Sequence, residues 1–190
     1  RRILMHPAPR GKQPTWGGYL PQFLGFDVCQ KVLEILTSAE SYPYLHETAE
    51  VVLRDQRANF EGVLAPRRGG IEVDEGEIRW WTFAGGRINS TLRYALQAVG
   101  GDWKVIPDNY VVKVRGEGLE ERDFRAAIAQ LEDLEFWEND KLWEEVGQSL
   151  PNYRLSKFQP LMPPWVEREM LGEYLLDVEG AWRWVSPADA

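Results

Sequence analysis

Glu77-Ile78-Arg79-Trp80-Trp81-Thr82-Phe83, followed at once by Ala84-Gly85-Gly86-Arg87-Ile88-Asn89-Ser90-Thr91, sets a strand, a glycine turn and a helix start in series. β-Branched and aromatic residues dominate the first seven positions, which predicts a strand. After Gly85-Gly86 the apolar period changes from 2 to 3.6. Ile88, Leu92, Ala95, Leu96 and Val99 form one stripe of a helix that Gly100-Gly101 ends. In a strand Trp80 and Trp81 point to opposite faces, so one of them belongs to a core and the other is free to face outward.

Working outward from this stretch, Trp103–Ile106 and Tyr110–Arg115 predict a hairpin around Pro107-Asp108-Asn109. Arg2–His6 predicts a further short strand, stopped by Pro7 and Pro9. A long Gly/Pro-rich loop over residues 11–22 precedes a helix near Phe26–Thr37, with Val28, Val32, Leu33 and Leu36 at helical spacing. A second helix is expected near His46–Val63, with Val51, Val52, Ala58 and Phe60 inward. Pro66–Gly70 reads as a basic loop containing Arg67 and Arg68. Toward the C-terminus, Glu120–Leu134 predicts a helix with Phe124, Ala127, Ile128, Leu131 and Leu134 on one side. Leu142, Trp143 and Val146 predict a short one. Pro163-Pro164 opens another, with Val166, Met170, Leu171, Tyr174, Leu175 and Val178 inward and Gly180 as its stop. A few strands followed by many helices is an α+β pattern. The expected fold is a small, mostly antiparallel sheet flanked by helices. It forms a single domain over 1–190, with possible sub-lobes 1–115 (mixed) and 116–190 (mainly helical).

The composition excludes several function classes. At 190 residues, 44% hydrophobic and 27% charged, the chain is long enough to bury a core without disulfides or metals. One cysteine, Cys29, excludes a disulfide framework and multi-cysteine zinc or iron–sulfur sites. No apolar run reaches the length of a membrane span, no signal peptide is visible, and a cytoplasmic location is expected. The chain lacks an initiator Met and reads as a piece of a longer protein. Lys and Arg number 22 against 30 Asp and Glu, a net charge of −8. The balance is uneven: residues 1–115 hold 15 basic and 13 acidic residues (+2), residues 116–190 hold 7 and 17 (−10). The whole surface therefore does not suit a polyanion, although the first part could face one.

Catalytic motifs are absent. There is no phosphate-binding G-x-x-x-x-G-K-[ST], no G-x-S-x-G and no H-E-x-x-H. Cys29 lies in an amphipathic helix as a structural thiol, and His6 and His46 are far apart. The acids of 117–145 fall at helical intervals expected of a solvated face. The turn at Gly85-Gly86 is the exception. It allows close backbone approach, the helix start supplies free N–H groups, and Arg79, Arg87 and Arg93 bracket it with Asn89, Ser90 and Thr91 as further donors. A phosphate contact beside a stacking ring suits single-stranded nucleic acid. A glycine turn that merely opens a helix is the plainer reading.

Three stretches together resemble one family. They are His6-Pro7-Ala8-Pro9 through Pro14-Thr15-Trp16-Gly17-Gly18 to Gly25-Phe26-Asp27-Val28-Cys29; Arg79–Asn89 with its W-x-F-x-G-x-R-x-N element; and Leu155-Ser156-Lys157-Phe158-Gln159 with Leu175-Leu176-Asp177-Val178-Glu179-Gly180. In that order they resemble the C-terminal region of Lhr-type (large helicase-related) superfamily 2 DEAD/DEAH-box DNA helicases. The resemblance implies that this chain carries no catalytic site or cofactor. ATP and Mg would be bound, and ATP hydrolysed for 3′–5′ movement in DNA repair, by motor domains outside it. The chain itself would be an accessory domain contacting single-stranded DNA through Arg79, Trp80, Trp81, Arg87, Asn89, Thr91, Arg93 and Lys157. The alternative is a docking domain that packs on the motor without touching DNA. It predicts that the basic strip is neutralised internally and that an apolar patch is exposed. A carbohydrate-active enzyme, with two carboxylates in a tryptophan-lined cleft, is the remote third.

Overall fold

The computed structural model describes residues 22–66, 69–138 and 158–186. The expected strand Arg2–His6, the helix at Leu142–Val146, and Arg67, Arg68 and Lys157 lie outside them. Among the described residues the chain forms α1 (Phe26–Thr37), α2 (Glu47–Asn59), β1 (Gly70–Asp74), β2 (Glu77–Trp81), α3 (Gly86–Gly100), β3 (Lys104–Pro107), β4 (Val112–Arg115), α4 (Glu121–Leu131) and α5 (Leu134–Glu138). A 3-10 turn at Gln159–Leu161 leads to α6 (Pro164–Leu175) and α7 (Val178–Val185). The architecture is α+β and single-domain, as expected. No described helix is long and apolar enough to cross a membrane.

The sheet is antiparallel with order β1-β2-β4-β3. Its register gives two inner rows, Val73–Ile78–Val114–Val105 and Ile71–Trp80–Val112–Pro107. Two outer rows alternate with them: Asp74–Glu77–Arg115–Lys104 and Glu72–Arg79–Lys113–Ile106. The inner rows pack against α3, α4 and α7 to make the main core, with Trp80 edge-on to Phe124 at 5.8 Å. A smaller cluster of Cys29, Leu33 and Phe83 seats α1 at the Trp81 end of the sheet.

The helix bounds show where periodicity was incomplete. α1 follows the expected bounds, but its buried stripe is Cys29 and Leu33, while Val28 is 53% exposed. α2 stops at Asn59 instead of Val63 and buries no residue; Val51 and Val52 face outward, and the helix packs along α1. Phe60, just past its end, reaches the sheet, 4.9 Å from Trp81. The expected helix Glu120–Leu134 breaks at Glu132. Asp133 accepts from the Glu135 amide (3.0 Å) and starts α5, leaving Leu134 exposed. Gly180 does not stop a helix. α6 ends at Leu175, and Asp177 caps α7 by accepting from the Gly180 amide at 2.8 Å. A Cβ on Gly180 would stand 2.7 Å from the other carboxylate oxygen, Oδ2, so glycine serves the cap. Tyr174, expected inward, is partly exposed. β1 was not anticipated: Glu72 and Asp74 are poor strand formers, and Gly69-Gly70 reads as a loop.

Candidate functional site

The strand–glycine–helix stretch forms as expected, but its polar groups turn inward. Phe83 adopts φ 51°, unusual for a bulky residue. Its amide donates to the Tyr110 carbonyl (2.9 Å) and its carbonyl accepts from Gln30 Nε2 (2.9 Å), which fixes the corner. Gly85 follows at φ 87° and Gly86 opens α3. Close backbone approach does occur here, but the neighbour is the chain itself. A Cβ on Gly85 would lie 2.6 Å from the Leu24 carbonyl oxygen, and one on Gly86 would lie 2.1 Å from the Phe23 ring. The Gly86 amide donates to the Leu24 carbonyl at 3.2 Å. The first N–H of the helix is thus already satisfied by residue 24.

Asn89 and Thr91 are fully buried. Asn89 Oδ1 accepts from Thr82 Oγ1 (2.6 Å), and Nδ2 donates to the Asp108 carbonyl (2.7 Å), tying α3 to the β3–β4 turn. Thr91 Oγ1 donates to the Arg87 carbonyl (3.0 Å) and accepts from the Asp177 amide (2.8 Å). Arg87 reaches across to the α6–α7 corner. Nε donates to the Leu176 carbonyl (3.0 Å), and Nη2 to the Glu173 carbonyl (2.6 Å) and again to Leu176. These carbonyls are unsatisfied ends of α6, and a cation at a helix C-terminus is favourable there.

Arg79 stands on the outer sheet face among three carboxylates: Glu77 (2.7 Å), Glu72 (3.4 Å) and Asp74 (3.6 Å). These pairings, led by the hydrogen bond to Glu77, raise its pKa further. Burial alone would raise the pKa of Glu77, but hydrogen bonds from Arg115 and Arg79 outweigh it and hold the carboxyl below its usual range. Trp80 is the core tryptophan. Trp81 is half-buried between Phe60 and Phe83, with Nε1 donating to Glu72 (3.2 Å). Arg93 donates to Gln97 Oε1 (3.1 Å) and lies over the Tyr94 ring. The structure therefore brings Arg87 and Thr91 together at one corner and Asn89 at another. Arg79 lies on the outer sheet face, and these residues do not form one open strip.

Sequence reasoning missed the partners of the glycine turn. Asn109 Oδ1 accepts from the Leu24 amide (2.9 Å) and its carbonyl accepts from the Gly85 amide (3.0 Å). The Asp108-Asn109 pair was legible as a turn, but nothing in the sequence linked it to residues 22–24.

Around this junction lie exposed apolar side chains. Phe26 meets Trp184 at 6.0 Å and Phe23 meets Tyr174 at 6.4 Å. Leu24, Phe26 and Tyr174 remain 37%, 42% and 41% exposed, and Val28 is exposed on the other side of α1 from Phe26. Burial, with a smaller push from Asp108, raises the pKa of the Cys29 thiol, which suits a packing residue. Among the described residues, no three His, Cys, Asp or Glu side chains gather to hold a metal. No family model, curated protein or solved structure matches the chain.

Proposed function

We propose that this chain is a non-catalytic accessory domain of an ATP-dependent DNA helicase, and that it acts by docking on protein. The family resemblance supplies the helicase and makes its motor domains the partner. One contrast carries the choice of docking over strand binding. Arg79 and Arg87, on which a DNA contact would rest, direct their donors to acceptors within the domain, while Leu24, Phe26 and Tyr174 present apolar surface. An arginine already held by carbonyls or carboxylates must break those bonds before it binds a phosphate, whereas an exposed apolar cluster gains from being covered.

Leu24 is the residue to test, because its amide and carbonyl make the junction's hydrogen bonds while its side chain is exposed. Leu24→Glu should weaken association with the motor polypeptide by about tenfold or more, measured by calorimetry, with little change in melting temperature. The isolated domain should show no salt-dependent affinity for fluorescent single-stranded DNA. Binding whose salt slope becomes shallower by about 0.7 in Arg87→Ala would instead favour strand contact.

A further inference from the structure

The outer sheet face divides by charge. Glu72, Asp74 and Glu77 lie on β1 and β2; Lys113, Arg115 and Lys104 lie on β4 and β3. Arg79 holds all three acids, and Glu77 is shared with Arg115. Among the described residues, no carboxylate lies within salt-bridge distance of Lys104 or Lys113. Lys104 stands directly opposite Arg115, whose charge Glu77 already meets, so across this antiparallel pair it is Lys104 and its diagonal neighbour Lys113 that face no acid among the described residues. In a chain of net charge −8 this surplus is local. Ile106, in the neighbouring row beside Lys113, is 40% exposed.

We propose that the β4–β3 half of this face binds an acidic, extended protein segment. Its carboxylates would meet Lys104, Lys113 and the outer side of Arg115, and an apolar side chain would cover Ile106. A peptide fits these groups better than a nucleic acid does. The aromatic ring on this face, Trp81, is edge-packed on Phe60 and hydrogen-bonded to Glu72, so it offers no platform for a base. A short acidic segment can end over β4 and β3, whereas a phosphodiester chain, charged at every residue and continued across the face, would run onto Glu72 and Asp74. A peptide with a carboxylate and an apolar residue two positions apart, and so on the same side of an extended chain, places both where the rows require them.

The test uses the whole chain, a fluorescein-labelled octapeptide Glu-Ser-Val-Ser-Glu-Ser-Val-Ser, whose Glu and Val share one side when extended, and a labelled oligothymidylate of similar length, with anisotropy as readout. The peptide should bind, and its affinity should fall as salt shortens the Debye length. Lys104→Glu with Lys113→Glu should weaken it about tenfold or more without changing the melting temperature. Leu24→Glu should leave peptide binding intact, which separates this site from the docking surface. The proposal is overturned if the peptide does not bind, if the double variant binds it as well as the wild type, or if the oligothymidylate binds in its place. Lys104 would then serve only to keep the edge strand β3 from pairing.

Discussion

Arg87 shows how a charged side chain can be structural while still reaching the surface. Its guanidinium donates to two main-chain carbonyls 86 and 89 residues away. Removing it leaves the end of α6 without those partners. Arg87→Ala should cost about 2 kcal/mol in urea unfolding, and Arg87→Lys should recover little, because an ammonium lacks the planar fork. Glu77 makes a pH-dependent contribution. Its pKa is depressed in the folded state by Arg115 and Arg79, so its stabilisation is complete above the ordinary carboxylate range and is lost as pH falls through the depressed value. Glu77→Gln should therefore lower the melting temperature at neutral pH and flatten the acid limb of the stability curve. The sequence placed Arg87 at the edge of its helix stripe and Glu77 at the strand start. It could not name their partners, because both choices depend on tertiary approach.

Among the elements, the contrast is between α3 and α2. α3 is fixed at its first turn by Leu24, Asn109 and Asp108, and along its length by the sheet and by α4, α6 and α7. Gly85→Ala forces a side chain into φ 87° and against the Leu24 carbonyl. It should cost about 2 kcal/mol or more by chemical denaturation. α2 buries nothing and is pinned to the end of α1 chiefly by Arg57, which donates to the Ile35 carbonyl (2.9 Å), the Glu40 carbonyl (3.0 Å) and Ser38 Oγ (3.3 Å). Its amides should exchange with solvent far faster than those of α3, and Arg57→Ala should speed them further without lowering global stability. Amphipathic period and glycine punctuation made α1 and α3 legible almost to the residue. The same reasoning turned Val28, Val51 and Val52 inward, because a valine stripe reads alike whether it faces a core or a surface awaiting a partner. β1 was hidden by its acids, which are there to meet Arg79.

At the scale of the molecule, the C-terminal helices are part of the core. Leu175, Leu176, Ala181 and Val185 are buried with Leu92, Ala95 and Leu96, and Thr91 bonds the Asp177 amide. Among the described residues, Glu121, Asp123, Glu135, Glu138, Glu169, Glu173 and Glu179 lie exposed on helices whose inward sides complete the packing begun by α3. Those contacts also impose a timetable on biosynthesis. Arg87 leaves the ribosome 89 residues before the carbonyl of Leu176 that it will bind. At about 5–20 residues per second that interval is roughly 4–18 s, during which one side of α3 has no native cover. A nascent chain halted just short of α6 would present that bare helix to a chaperone, and one released with α7 translated would close over it.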